Sequence, residues 1–397
     1  MKIITVLALA LASLAADAVA ADRTPLQQQL EADLRHYLAS RRTIEHISAL
    51  SLSVSFPGDS ADIQATAGTV EFAGGAAVTP ANLYQIGSNT KAFTAVTLLQ
   101  LEAEGKLSLQ DTLGKWLPQY PLWHGVTLTR LLNMTSGIPT YDSLPAMQKA
   151  YAAEPHKDFS PGELIGYVYP GTAGAPAATS GWSYSNTNYV LAELIIEKVT
   201  GHSYAEELRQ RFFARPQLHL SDAFYESHQY PAAVIDRMVS GYFFSNTPDN
   251  AGLAALYGKD MRDLSVSWAR GAGAAVSTPT DLTHWVRALY HGGMLMPRQQ
   301  KELESLVSLR TGKPIADIVA GDSRGFGLGV GRDMLPSLGK FWFYEGETLG
   351  YRMIYVWFPK SDVIIAVGIN SQPNAADNHG QQLVQAIYRT LQRAGKL

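Results

Sequence analysis

A chain of 397 residues that is 46% hydrophobic, with a net charge of −3, can bury a large core and lacks a nucleic-acid binder's positive excess. Its 17% of charged residues and ordinary usage of Gly (34) and Pro (20) exclude a disordered chain. With no cysteine there are no disulfides, thiol nucleophiles or cysteine-ligated zinc, so a nucleophile must be a hydroxyl, an amine, a carboxylate or a bound water.

Lys2, a short apolar run over 3–16 and Ala18-Val19-Ala20 have the order of a secretory leader cut after Ala20. The run is too short to cross about 30 Å of hydrocarbon, and no later segment approaches that length. The expectation is a 1–20 signal peptide and a soluble, periplasmic or secreted chain over 21–397. No stable membrane anchor is expected, and without a cysteine the cleavage site cannot carry a lipid.

Residues 25–42 read as a helix, with Leu26, Leu30, Leu34 and Leu38 at four-residue spacing, Thr24 placed to cap and Pro25 at the first helical position. Residues 51–56 alternate as a strand, 63–72 form a weaker one, and Pro57-Gly58-Asp59 supplies the turn of a hairpin. From Ser88 the period becomes helical (Phe93, Val96, Leu99, Leu101) until Gly105. A further helix spans about 188–199 and stops at Gly201; the small-residue stretch 171–181 ahead of it is a loop. Strands return at 340–344, 351–358 and 363–369, with turns at 346–350 and 359–362, and a last helix covers about 377–393. The pattern predicts an α+β fold in a single domain, with no internal repeat. An antiparallel sheet would draw on both chain ends (about 21–80 and 286–397) and be flanked by the terminal helices. A mainly helical lobe (about 81–285) is inserted between them.

Ser88 and Lys91 lie three residues apart at the start of an apolar-periodic helix, so the amine can reach the hydroxyl. A serine alcohol needs a neighbouring base, and a desolvated amine can serve, while a helix N-terminus favours a developing oxyanion. Such a pair arises by chance about once in a chain this long. Ser337 and Lys340 share the spacing, but Pro336 and Gly339 deny them a helix. Tyr184-Ser185-Asn186 precedes the 188–199 helix; a phenol near a cation can pass protons, and an amide can hold an acyl group or orient a lysine. Residues 344–351, Tyr344-Glu345-Gly346-Glu347-Thr348-Leu349-Gly350-Tyr351, join two strands, and their glycines would let a substrate lie against a strand.

In this order the three elements resemble the serine β-lactamase and penicillin-binding protein superfamily, in the branch of class C β-lactamases, D-Ala-D-Ala carboxypeptidases and related esterases. Ser88 and Lys91 match its S-x-x-K, and Tyr184 with Asn186 its Y-x-N. Segments 131–139 (LLNMTSGIP) and 271–281 (GAGAAVSTPTD) are similar to two further family stretches. The resemblance implies that Ser88 is acylated while Lys91 and Tyr184 share the proton traffic, with the identity of the base left open. It implies that Asn186 holds the acyl side chain, that Tyr344 and Gly346 stand on the substrate-binding strand, and that the amides of Ser88 and Glu347 form an oxyanion hole.

One departure bears on function. The family usually carries Lys or His where this chain has Tyr344, a cation that binds a substrate carboxylate. Charge-assisted hydrogen bonds contribute about 1.5–3 kcal/mol against about 1 for neutral ones. Anionic substrates should therefore bind less well, more so if Glu345 and Glu347 point inward. Arg352, close after Gly350-Tyr351, could replace that cation, but a solvated arginine is the commoner case and the expected one. A smaller departure is Ala178-Thr179, where the family often has Pro-Gly. Ten histidines without paired spacing give no metal site; there is no G-x-S-x-G elbow or P-loop, and no cofactor is expected. The glycine-rich 325–331 stretch reads as close strand packing. The expectation is an exported serine hydrolase acting on β-lactam or D-Ala-type peptides, its partner a small-molecule or peptidoglycan-derived acyl substrate. A carboxylesterase and a slowly turning-over penicillin-binding sensor are the alternatives.

Overall fold

The computed structural model describes residues 24–58, 61–171, 178–226 and 228–397. The expected leader and the centre of the 171–181 loop lie outside the described residues. In α1 (Pro25–Arg41), Leu30 and Leu34 are fully buried and Leu26 and Leu38 pack beside them. Thr24 Oγ1 accepts the Gln27 N–H at 3.2 Å, and Pro25 occupies the first turn without losing a donor. Then follow β1 (Ala49–Ser55), β2 (Ile63–Glu71), β3 (Gly74–Ala77), α2 (Thr90–Ala103), α3 (Thr187–Thr200) and α4 (Pro279–His291). The chain closes with β4 (Leu306–Ser308), β5 (Pro314–Ile315), β6 (Arg324–Phe326), β7 (Gly331–Leu335), β8 (Gly339–Glu347), β9 (Arg352–Phe358), β10 (Val363–Ile369) and α5 (Gly380–Arg393).

These strands form one ten-stranded antiparallel sheet in the order β3-β2-β1-β10-β9-β8-β7-β6-β4-β5, so the two chain ends meet where β1 pairs with β10. Strand alternation separates two cores. Leu52 and Val54, Ile354 and Val356, and Ile365 and Val367 face α1 and α5, where Leu383, Ile387 and Leu391 repeat the four-residue spacing. The other face carries Met353, Tyr355, Ile364 and Ala366 toward Trp285 and Leu289 of α4 and the helical lobe. Each fully buried Leu or Ile contributes roughly 1.5–3 kcal/mol. Because α4 packs on β1 and β10, the sheet lobe resumes at Pro279, and the expected boundary near 286 falls inside this helix.

Arg352 is neither a substrate cation nor solvated. It shares its face with Ile354 and Val356, and its side chain is wholly buried. Its Nη2 meets Glu45 Oε2 at 2.8 Å, its Nε donates to Ser371 O at 2.8 Å and its Nη1 to Asn378 Oδ1 at 2.5 Å. Glu45 also accepts from Tyr37 Oη at 2.7 Å and Arg41 Nε at 2.8 Å. The pair thus ties the segment after α1 to β9 and the approach to α5. Arg352→Leu would remove the partner of Glu45 Oε2 while Arg41 and Tyr37 keep Oε1, and should cost about 1.5–3 kcal/mol, read as a lowered denaturant midpoint.

Candidate active site

Ser88 stands in a tight turn, Gly87–Asn89, that leads into α2, rather than on the helix proper. Thr90 Oγ1 closes this turn on Gly87 O at 2.8 Å, and Asn89 Nδ2 ties it to Ile86 O and to Met353 O of β9, each at 2.8 Å. The expected 346–350 turn is shorter than predicted, because β8 continues to Glu347 and runs against the Ser88 turn. A Cβ on Gly346 would lie 1.9 Å from Ile86 O and 2.9 Å from Ser88 N; one on Gly87, whose φ is +51°, would lie 2.7 Å from Glu347 N. Two glycines therefore bring the Ser88 and Glu347 amides side by side.

The Lys91 side chain is buried, and its three donors have three acceptors: Ser88 Oγ at 3.0 Å, Asn186 Oδ1 at 2.7 Å and Ala272 O at 2.7 Å. Tyr184 Oη donates to Ser88 Oγ at 2.6 Å. Ser88, Lys91, Tyr184 and Asn186 thus meet around one alcohol. The 131–139 segment cradles the Tyr184–Asn186 turn. Met134 O accepts the Ser183 N–H at 2.9 Å, Pro139 O accepts Thr187 Oγ1 at 2.7 Å, and Gly137 lies so close to Thr179 that a Cβ would overlap its backbone. The 271–281 segment supplies the Ala272 carbonyl. Its turn is braced by a buried ion pair, Arg270 with Glu193 at 2.7 Å, whose second oxygen accepts the Gly271 N–H at 2.7 Å.

Burial lowers the Lys91 amine to about 7, with the Asp142 carboxylate acting in the opposite direction. Burial raises the Tyr184 phenol to about 12, against its hydrogen bonds to Ser88 and Tyr344. Tyr344 is buried; desolvation first, and then its tyrosine neighbours, hold its phenol well above the ordinary range, so it stays neutral. Its Oη lies 3.4 Å from Tyr184 Oη. A cavity of about 460 Å³ opens over Ser88, lined by Trp182, Phe326, Tyr344, Trp268, Asp142 and Asn186 among others. Trp182, Phe326 and Tyr344 form a chain of ring contacts with centroids 5.9 Å apart. Among the described residues no cluster of His, Asp and Glu could hold a metal ion, and no helix is long and apolar enough to cross a membrane.

The Beta-lactamase family model matches residues 30–388. The chain belongs to the beta-lactamase family. A penicillin-binding protein of Bacillus subtilis (strain 168) is 27% identical over 277 residues, 69% of this chain and 58% of that protein, so the match spans under two thirds of this relative. A D-stereospecific amidohydrolase from Streptomyces sp. superimposes over 90% of this chain and 98% of its own, with a TM-score of 0.73 and 25% identity. The D-amino acid amidase of Ochrobactrum anthropi SV3 covers 94% of this chain and 99% of its own with a TM-score of 0.75 at 22% identity, a likeness of fold. The fold is therefore the β-lactamase/transpeptidase-like fold.

Within this beta-lactamase-family site, β8 presents Tyr344 and Gly346 to the Ser88 side, paired with Tyr355 and Met353. Glu345 and Glu347 pair with Ile354 and Arg352 and turn toward the α5 side, where Asn378 Nδ2 donates to them at 3.0 and 3.1 Å. They line the cavity from the sheet face opposite to that of Tyr344 and Gly346. The cavity's arginines, Arg324 and Arg332, are paired with Asp333 and Asp317 at 3.5 and 3.2 Å. Asp142, whose Oδ2 accepts from Asn186 Nδ2 at 2.9 Å, was missed by sequence reasoning, as were Glu193 and Arg270; no spacing links them to Lys91. Ser337 and Lys340, the control pair, flank the β7–β8 turn, and Lys340 bonds Asp317 at 2.7 Å. The 325–331 glycines are packed closely: a Cβ on Gly327 would lie 2.4 Å from Leu303 O and one on Gly329 2.9 Å from Lys91 O.

Gly346→Ala would push β8 away from the Ser88 turn and separate the two amides. The acylation rate should fall by about 10²–10³, measured as the stopped-flow burst with an activated ester, while circular dichroism stays near wild type.

Proposed function

We propose that the protein hydrolyses amide or ester bonds through a covalent acyl-enzyme on Ser88. The observation that carries this reading is the convergence of Lys91 and Tyr184 on one hydroxyl, at 3.0 and 2.6 Å. With its amine near 7, Lys91 is a free base in part of the population at neutral pH, whereas Tyr184 keeps its proton. Lys91 therefore takes the Ser88 proton as Oγ attacks the carbonyl carbon. The oxyanion lies between the Ser88 and Glu347 amides. Tyr184 relays the proton from Lys91 to the leaving group, which returns Lys91 to its free base; in the second half-reaction Lys91 accepts, through Tyr184, the proton of the water that releases the acid. Asn186 holds the acyl side chain with its amide.

For substrate class, Tyr344 favours acyl amides and esters that carry no carboxylate beside the reacting bond. A neutral phenol occupies the place of the usual cation, and Arg352 is engaged with Glu45. The likeness to a D-stereospecific amidohydrolase supports this choice. β-Lactam or D-Ala-peptide hydrolysis is the second reading, favoured by the penicillin-binding relative. Export rests on the leader pattern at 1–20 alone.

A D-amino acid amide, a short-chain nitrophenyl ester and a chromogenic cephalosporin, each tested with wild type and Ser88→Ala, separate these readings. Ser88→Ala should abolish turnover of the amide and the ester, with the cephalosporin the poorest substrate of wild type. Fluorescent penicillin that labels Ser88 and is never released would instead establish a sensor. The rate of acylation should fall as pH drops through about 7, because protonation removes the Lys91 base. Tyr344→His should raise the cephalosporin-to-ester ratio several-fold; an unchanged ratio would assign the anion to Arg324 or Arg332.

A further inference from the structure

Asp142 enters no step above, yet it stands one hydrogen bond from the group that holds Lys91. Asn186 Oδ1 accepts from Lys91 Nζ at 2.7 Å, and its Nδ2 donates to Asp142 Oδ2 at 2.9 Å. The other Asp142 oxygen accepts from Thr140 Oγ1, which itself accepts the Asn186 N–H at 3.0 Å. The three residues form a closed ring of hydrogen bonds, of which Asp142 and Asn186 line the cavity. The two ends of an asparagine amide are alike in shape and opposite in polarity. A carboxylate can only accept, so it fixes the amide with NH2 outward and oxygen toward the amine. Among the described residues, no Lys, Arg or His forms an ion pair with Asp142.

We propose that Asp142 is a positioning residue that sets the Asn186 amide and, through it, holds the Lys91 amine on Ser88. This rests on the Ser88 acyl-enzyme reading and adds to it a residue that touches neither substrate nor nucleophile. The groups packed on the amine are the Ser88 hydroxyl, the Asn186 amide, the Ala272 carbonyl and the rings of Tyr184 and Tyr189, which lie 4.8 and 5.4 Å from Nζ. Neither phenol is ionised near neutrality, since burial holds both above the ordinary range. The charge acting on the amine from behind Asn186 is that of Asp142, and it opposes desolvation. Its removal lowers the amine further, so the acid limb of the pH profile moves to lower pH.

The test is the pH dependence of Ser88 acylation by a nitrophenyl ester in wild type, Asp142→Asn, Asp142→Glu and Thr140→Val. Asp142→Asn should slow acylation by about ten- to a hundredfold and move the acid limb down by about one pH unit. Asp142→Glu should keep the limb near the wild-type position. Thr140→Val loses two bonds of the ring, to Asp142 and from the Asn186 N–H, and keeps the charge, so its rate should fall without movement of the limb. An Asp142→Asn enzyme with an unmoved limb overturns the proposal, as does a Thr140→Val limb displaced as far as that of Asp142→Asn. Wild type that never acylates at Ser88 would instead overturn the function on which the proposal rests, so the two failures are distinct.

Discussion

The site is organised by one buried amine. Taking an ammonium out of water costs several kcal/mol, and a lone lysine in such a place would fold back toward solvent. Lys91 stays because three acceptors, at 2.7 to 3.0 Å, match its three donors. The acceptors come from three remote stretches: the Ser88 turn, the Asn186 turn and the Ala272 turn. Desolvation that is offset but not cancelled leaves the amine near 7, where it can exchange a proton at neutral pH. The burial that makes the ammonium costly also weakens its hold on the proton, so that part of the population is free amine and able to act.

Each acceptor has its own brace, and the braces explain where the glycines and buried ions stand. Gly87 and Gly346 let β8 touch the Ser88 turn; the 131–139 segment holds the Asn186 turn; the Glu193–Arg270 pair holds the Ala272 turn. The sheet supplies the remaining constraint through parity. Successive side chains on β8 point to opposite faces, so Tyr344 and Gly346 share the Ser88 side while Glu345 and Glu347 cannot. The same parity on β9 carries Arg352 to the α5 face and removes it as a stand-in for the missing cation. Specificity at this position is thereby left to a phenol in an aromatic wall.

Much of this frame was legible in the amino-acid order. The leucine spacing of α1 and of α5, the alternation of β1 and the apolar runs of β9 and β10 are local patterns, and local patterns report which face is buried. Ser88, Lys91, Tyr184 and Asn186 were legible because motif and helix phase agreed. Partnership across the chain was not. Arg352 looked available because its partner, Glu45, lies 307 residues away in sequence. Nothing in the local sequence marks Asp142, since its contact with Asn186 joins segments 44 residues apart. Residue 286 lies within α4, whose place against β1 and β10 is a matter of packing that no local pattern reports.

Arg270 shows how far the fold goes to aim a single carbonyl. Its φ is +42°, a left-handed conformation that costs a non-glycine residue roughly 1–2 kcal/mol. A glycine would relieve that strain but would lose the guanidinium that meets Glu193 at 2.7 Å and donates to Phe159 O at 3.2 Å. The ion pair holds the residue in its strained state, and the tight turn that follows directs Gly271 O to Thr94 and Ala272 O to Lys91. Strain is thus retained where releasing it would unpair a buried carboxylate and let the amine drift from Ser88. A burial cost at 193 and 270 is exchanged for alignment at 91.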